Sequence, residues 1–259
     1  FTSLNHWKSF VLFGGPMRAI IVVPARLEST RLPRKLLLAE TGKPLIVETL
    51  ESLHPCVDSR LIDGVMVVTD SDEIEAVCDA AWFSVLRSAE ASCGTDRIAS
   101  VVDKLKTFDL IVNVQADEPD IHLDHVAAVI DAARKFPACD MATLATMLRP
   151  EDRGNREVVK VAVDRHDIAV GFGRHSETVF VDQPSARLDR RHIGVYAYTP
   201  AFLKWFASLR PTPNEQRQNL EQLRALDRGC RIRVAHINHS HHSIDTRAQY
   251  DEFVRRRGH

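Results

Sequence analysis

Residues 19–35 run Ala19-Ile20-Ile21-Val22-Val23-Pro24-Ala25-Arg26-Leu27-Glu28-Ser29-Thr30-Arg31-Leu32-Pro33-Arg34-Lys35. The first five are apolar and mostly β-branched, the pattern of a strand buried on both faces. The rest is a compact loop holding four cations, Arg26, Arg31, Arg34 and Lys35, and two hydroxyls, Ser29 and Thr30. In α/β sheets, ligands gather at the C-terminal edge of the strands. Four cations and two hydroxyls delivered there suit a polyanion such as a nucleoside triphosphate. A merely solvated basic loop is the usual reading of a charge cluster. It is weakened here because the cluster abuts a buried strand and not a polar stretch.

Working outward, short apolar runs alternate with helical patterns. Residues 18–23, Gly64 to Thr69 and Leu110 to Val114 read as strands, and Phe83 to Leu86 is strand-like. Between them, Pro44 to Leu50 reads as a helix with proline in its first turn. Asp70-Ser71-Asp72-Glu73 opens another by N-capping and dipole complementarity. Thr95 to Leu105 and His122 to Phe136 are helical. Continuous Val/Ile strands separated by helices predict a parallel sheet covered on both faces. Beyond about residue 140, Met141 to Met147, Val158 to Val163, Ile168 to Phe172 and His192 to Tyr198 read as strands with few helices between them, an antiparallel extension or arm. Helices return at Pro200 to Leu209 and Asn214 to Leu226, followed by strand Arg231 to Ile237 and a charged helix from Thr246. The expected fold class is α/β: a mixed, mostly parallel sheet in a single domain over 17–259, with a β-rich region at about 141–200.

Composition narrows the function classes. The chain has 259 residues, 44% hydrophobic, enough to bury a substantial core. Its formal net charge of −1 supplies no global field for nucleic acid or membrane, so an anion site must be local. No apolar run approaches the roughly 20 residues needed to span a bilayer. The five cysteines, Cys56, Cys78, Cys93, Cys139 and Cys230, show no C-x-x-C pairing. Such a set reads as reduced thiols in a cytoplasmic protein and not as a disulfide frame. Residues 1–16 precede Met17, a plausible native start, and read as an extension outside the fold.

Three further segments carry chemistry. In Asn113-Val114-Gln115-Ala116-Asp117-Glu118-Pro119 the strand ends near Gln115, so Asp117 and Glu118 emerge at the same sheet edge as the basic loop. A carboxylate facing a triphosphate makes sense with Mg²⁺ between them; a polar turn ended by Pro119 is the alternative. Ser92-Cys93-Gly94-Thr95-Asp96-Arg97 lets backbone amides approach a ligand, or is an ordinary helix start in which Thr95 supplies the N-cap. In Ile244-Asp245-Thr246, Asp245 is either a second metal ligand or an N-cap. The cluster His239, His241 and His242 draws on one short loop, whereas zinc sites usually collect ligands from separate elements, so no transition metal is expected there.

Together these segments resemble the 3-deoxy-manno-octulosonate cytidylyltransferases, the CMP-Kdo synthetases of lipopolysaccharide assembly, from about Met17 to the C-terminus. That family's PAR-x-x-STRLPGK loop is matched by Pro24 to Lys35, with Arg34 in place of glycine. NVQGDEP is matched by Asn113 to Pro119, with Ala116 for glycine; SGTER by Cys93 to Arg97; NPNxVKV by Asn155 to Val161, keeping Asn155 and Lys160. RHIGIYGY corresponds to Arg191 to Tyr198, LEQLR to Leu220 to Arg224, and GVDT to Ser243 to Thr246. The resemblance implies a Rossmann-like nucleotidyltransferase fold, a homodimer built through the β-rich region, and Mg²⁺ dependence. By position, Arg26 and Lys35 would hold the CTP phosphates with Arg31 in support. Pro24, Ala25, Gly94, Thr95 and Arg97 would frame the nucleoside. Asp117 and Asp245 would hold Mg²⁺, with Arg26, Lys35 and Asp117 the catalytic set. Gln115, Lys160, His192, Tyr198, Glu221 and Gln222 would meet the sugar acid.

The departures fall mostly at the sugar and dimer end. The family's SRxxIP segment is reduced in Gly173-Arg174-His175-Ser176-Glu177-Thr178 to its arginine, and the stretch from Arg174 to Arg190 is short for a dimer arm. Rival readings are a cytidylyltransferase for 8-amino-Kdo or a sialic acid, a nucleotide-binding homologue with reduced catalysis, and a glycosyltransferase of related fold. Leu27-Glu28-Ser29-Thr30-Arg31 stands where sialic-acid enzymes carry a glycine- and lysine-rich loop. Arg34 is expected to add a cation at the leaving-group end.

Overall fold

The computed structural model describes residues 17–174, 179, 186–238 and 243–258. The expectations for residues 1–16, for His175 to Thr178 and for His239, His241 and His242 lie outside these residues. β1 (Ala19–Ala25) is buried along its whole length. Ile20 and Val22 face one core, and Ala19, Ile21, Val23 and Ala25 face the other, so the strand's two-residue period feeds both sides of the sheet. The core on the Ala19 side is closed by α1 (Leu45–Ser52), α2 (His54–Asp58), α3 (Asp72–Ala80) and α5 (Leu123–Lys135), that on the Ile20 side by α4 (Gly94–Ala99) and α6 (Pro200–Ala207).

β2 (Val65–Thr69), β3 (Ser84–Arg87) and β4 (Leu110–Asn113) join β1 in parallel, in the order β3-β2-β1-β4. β5 (Met141–Met147) and β9 (Ile232–His236) continue the sheet beyond β8 (Arg187–Tyr198), giving β4-β8-β5-β9. β8 alone on this path runs against its neighbours. The mostly parallel, mixed sheet expected from the sequence is the sheet observed. β6 (Lys160–Val163) and β7 (Ala169–Gly173) add antiparallel pairs on the outer half of β8, so the β-rich region extends the same sheet.

The pairing of β5 with β8 shifts between Thr143 and Leu144, which face Tyr196 and Ile193, so Gly194 and Val195 form a bulge. The Thr143 hydroxyl sits 2.9 Å from the Val195 carbonyl and 2.9 Å from His192 Nε2. Its one proton serves the carbonyl, which can only accept, so His192 donates through Nε2–H. Bulges bend a strand and re-aim its side chains, and this one lies beside a cleft.

Several local expectations are corrected. Pro44 is the N-cap of α1 and not a residue of its first turn. The segment from Thr95 to Leu105 is α4 followed by a 3₁₀ turn over Val102–Lys104. Its N-cap is Cys93, whose Sγ accepts from the Asp96 N–H, and not Thr95. Asn214 to Leu226 is two helices, α7 (Pro213–Gln218) and α8 (Gln222–Asp227), separated by Asn219 in the left-handed region at φ 52°. The last helix, α9 (Arg247–Arg256), is capped by Thr246, which leaves the Asp245 carboxylate out of the cap. No helix among the described residues is long and apolar enough to cross a membrane.

Candidate active site

The C-terminal ends of β1 and β4 open into a cleft of about 560 Å³. One wall is the basic loop, with Arg26, Ser29, Thr30, Arg31 and Lys35; Pro24, Ala25, Gly94 and Arg97 form the floor, and Glu221 stands opposite. Gly94 suits the close approach of α4 to β1, because a Cβ there would lie 3.1 Å from Pro24 Cγ. Arg97 is almost fully buried, with its guanidinium 2.9 Å from Asp70 and 2.8 Å from Ser88 Oγ. It braces the loops after β2 and β3 beneath the cleft.

A second cleft of about 270 Å³ lies against the bulge of β8. Gln115, Glu118, Arg174, Arg191, His192, Gly194, Tyr196, Glu221 and Gln222 line it. Arg31, Gln115, Asp117, Glu221 and Asp245 line both clefts, which therefore meet at the two aspartates.

At this seam Lys35 is ion-paired with Asp117, stands 2.8 Å from Asp245 Oδ1, and donates to the Ile244 carbonyl at 3.1 Å. Arg31 pairs with Glu157 on one side and lies 2.9 Å from Asp245 on the other. Burial works against the Lys35 charge, but the two carboxylates outweigh it and raise the ammonium's pKa. For Asp117, burial together with Asp245 and Glu118 prevails over Lys35, and its carboxyl sits above the usual range. Asp245 is also opposed by burial, yet Lys35 and Arg31 hold it below that range. A desolvated carboxylate pair of this kind calls for a cation. Among the described residues no group of three or more His, Cys, Asp or Glu side chains gathers. Two hard oxygen donors beside a cation-walled cleft fit Mg²⁺, which commonly takes one or two carboxylates and completes its shell with phosphate and water. They do not fit a closed zinc site.

The remaining sequence-predicted residues divide. Gln115, His192, Glu221 and Gln222 reach the second cleft. Burial pushes His192 down to about 3, so it stands there neutral. Lys160 does not reach it: its ammonium is bound by the carbonyls of Asn155, Val158 and Arg174. Tyr198 lies one step deeper, in a small void behind the cleft, while Tyr196 forms the wall. Thr95 is also in that inner layer, where its N–H (3.2 Å) and hydroxyl (2.8 Å) both donate to Glu221. Arg34 does not line either cleft. Its guanidinium turns away to pair with Glu73, so the expected extra cation at the leaving-group end is not supplied.

Sequence reasoning does not single out Arg174 and Arg191 as wall residues. Arg191 is largely buried and 3.8 Å from Asp152; burial lowers its pKa, partly offset by Asp152. Arg174 is held by the Gln218 and Arg156 carbonyls. The available signal was that Arg174 survives alone in an otherwise eroded motif. Arg224 is a third residue whose role the sequence does not reveal. It is 2% exposed, pairs with Asp96 at 2.8 Å and Glu215 at 2.6 Å, and lies over the Phe206 ring, tying α8 to α4 and α7.

The chain is similar to known proteins along most of its length. The cytidylyltransferase family model matches residues 20–232. A 3-deoxy-manno-octulosonate cytidylyltransferase of Anaeromyxobacter sp. (strain Fw109-5) is 38% identical over 235 residues, 90% of this chain and 94% of the relative. A mitochondrial protein of the same name from Arabidopsis thaliana is 33% identical over 238 residues, covering 88% and 79%. A solved CMP:2-keto-3-deoxy-manno-octonic acid synthetase, complexed with CTP, superposes with a TM-score of 0.82 at 30% identity over 92% of this chain and 97% of its own. A cytidylyltransferase from Leptospira borgpetersenii, at 19% identity and a TM-score of 0.57, shares the fold. The chain belongs to the 3-deoxy-manno-octulosonate cytidylyltransferase family.

Proposed function

We propose that the protein transfers CMP from CTP to the anomeric hydroxyl of 3-deoxy-manno-octulosonic acid, releasing pyrophosphate, for lipopolysaccharide assembly. The observation that carries this reading is the junction of a cation-walled cleft and an arginine-bearing cleft at Asp117 and Asp245. A triphosphate in the first cleft and a sugar acid in the second would bring the α-phosphorus and the attacking hydroxyl to that seam. The hydroxyl oxygen bonds to phosphorus as the bond to the β-phosphate breaks, and the hydroxyl proton passes to solvent. Arg26, Arg31 and Lys35 answer the charge that grows on the leaving pyrophosphate. Arg174 and Arg191 suit the sugar's carboxylate, and Gln222 offers a buried Nε2 with no protein partner among the described residues. Mg²⁺ held by Asp117 and Asp245 would neutralise the α-phosphate and lower the hydroxyl's pKa. Little covalent work falls to the protein, so positioning and electrostatics dominate.

The finer reading also includes a cytoplasmic homodimer. Five free cysteines, four of them buried, suit a reducing compartment. The outer edge of the β-rich region, where Met147 is 61% exposed, suits a second copy. The test is pyrophosphate release from CTP with Kdo, 8-amino-Kdo and sialic acid in parallel, and from UTP, ATP and GTP with the best acid. CTP with Kdo is expected to turn over fastest. A faster 8-amino-Kdo reaction would transfer the assignment to that acid, equal use of UTP would break the cytidine reading, and no release with any pair would sink the enzymatic reading. Light scattering of the purified chain at monomer mass would remove the homodimer.

A further inference from the structure

Lys35 reaches the seam only because of the turn that precedes it. Arg34 has φ 55° and ψ 28°, the left-handed region in which a Cβ is unfavourable. Its carbonyl accepts the Leu37 N–H at 2.9 Å, and the Lys35 N–H donates to the Leu32 carbonyl at 3.2 Å. Arg34 thus swings the chain into the 3₁₀ turn Lys35–Leu37, anchored by buried Leu32 and Leu36. The guanidinium makes a two-point pair with Glu73, Nη1 to Oε1 at 3.0 Å and Nη2 to Oε2. Glu73 belongs to the first turn of α3, which Ser71 caps and Ile74 and Cys78 fix in the core. A rigid helix therefore grips the residue immediately before Lys35. An isolated surface pair would contribute little. This one acts on a strained backbone position, where letting go would allow the turn to relax and carry Lys35 with it.

We propose that Arg34, clamped by Glu73, is a positioning residue that holds the Lys35 ammonium at the seam of the two clefts and touches no substrate itself. This rests on the reading of Lys35 as a cation serving the triphosphate. The test is steady-state pyrophosphate release from CTP and Kdo by the full chain, alongside thermal melting, for wild type, Arg34→Ala, Glu73→Gln, their double variant, Arg34→Gly and Lys35→Ala. Arg34→Gly removes the clamp and the strain together, so its turn has nothing to relax from and its KM for CTP is expected to stay within about twofold of wild type, whereas Arg34→Ala removes the clamp and keeps the strain. Arg34→Ala and Glu73→Gln are each expected to raise KM for CTP roughly threefold to tenfold with a smaller change in kcat. The double variant is expected to be no worse than Arg34→Ala, because both changes break one interaction. Wild-type KM in both Arg34→Ala and Glu73→Gln, an Arg34→Gly as impaired as Arg34→Ala, or a double variant whose loss is the product of the two, would overturn the proposal. Wild-type turnover in Lys35→Ala would instead overturn the underlying role of Lys35, an outcome read from a separate variant.

Discussion

The two clefts are built in different ways. The larger one is made where parallel strands end: the loop after β1, the N-terminus of α4 and the turn after β4 converge because the topology sends them to one edge. The smaller one is made by side chains along β8, aimed by the bulge at Gly194 and Val195, with α8 as its far wall. On the proposed assignment, nucleotide recognition is tied to the architecture of the sheet. Recognition of the acid is then tied to the register of one antiparallel strand and can change through single side chains.

The seam belongs to both clefts, so breaking it should erase the distinction. Asp117→Asn is expected to lower kcat by at least about 10²- to 10³-fold with either substrate saturating, the scale of losing one preorganised electrostatic group. The melting temperature should hold, because a buried carboxyl held above its usual pKa gains from neutralisation. Wild-type turnover with Mg²⁺ would remove Asp117 from the reaction.

Arg224 couples the clefts mechanically, since α4 floors one and α8 walls the other. Removing one partner of a buried ion network leaves uncompensated charge, and Arg224→Ala is expected to cost about 3–5 kcal/mol of unfolding free energy in a denaturant titration. A loss below about 1 kcal/mol would show Asp96 and Glu215 to be well solvated without it.

Arg191 separates the clefts. Losing a charge-assisted hydrogen bond costs about 1.5–3 kcal/mol, so Arg191→Ala should raise KM for the sugar acid roughly 10- to 100-fold and leave KM for CTP within about twofold. Equal effects on both would show that the clefts are not independent.

The same contrast explains what was legible in the sequence. The loop from Pro24 to Lys35, Asp117 and Asp245 follow strand ends, and strand ends are visible as the close of an apolar run. Lys160 and Tyr198 depend on tertiary detail. Lys160 lies on a buried strand where three carbonyls claim its ammonium. Tyr198 shares a face with Tyr196, but two residues along a strand is about 7 Å, enough to carry it past the cleft wall. Arg34 reads in sequence as one more cation, and only its positive φ and Glu73 reveal that it faces away. Cys93 takes the cap from Thr95 because Thr95 is already claimed by Glu221, 126 residues later.

His192 gives the smallest effect and the most specific check on the β8 wall. Buried against Phe172 and bonded to Thr143, it is held neutral down to about pH 3, whereas an unfolded histidine protonates near its ordinary value of 6.5. Between those limits the unfolded chain binds the extra proton, so lowering the pH through 6.5 drains stability by up to about 1.4 kcal/mol per unit. His192→Gln keeps a donor within reach of Thr143 but cannot titrate. The stability difference between wild type and this variant should be flat from pH 8 to 7, then move against wild type by about 2 kcal/mol by pH 5. Carboxylates that begin to protonate near pH 5 are common to both chains and cancel in the difference. Urea unfolding of the two proteins at pH 7.5, 6 and 5 measures it. A difference that stays constant over this range would mean that His192 is open to water, and with it the wall that is meant to select the acid.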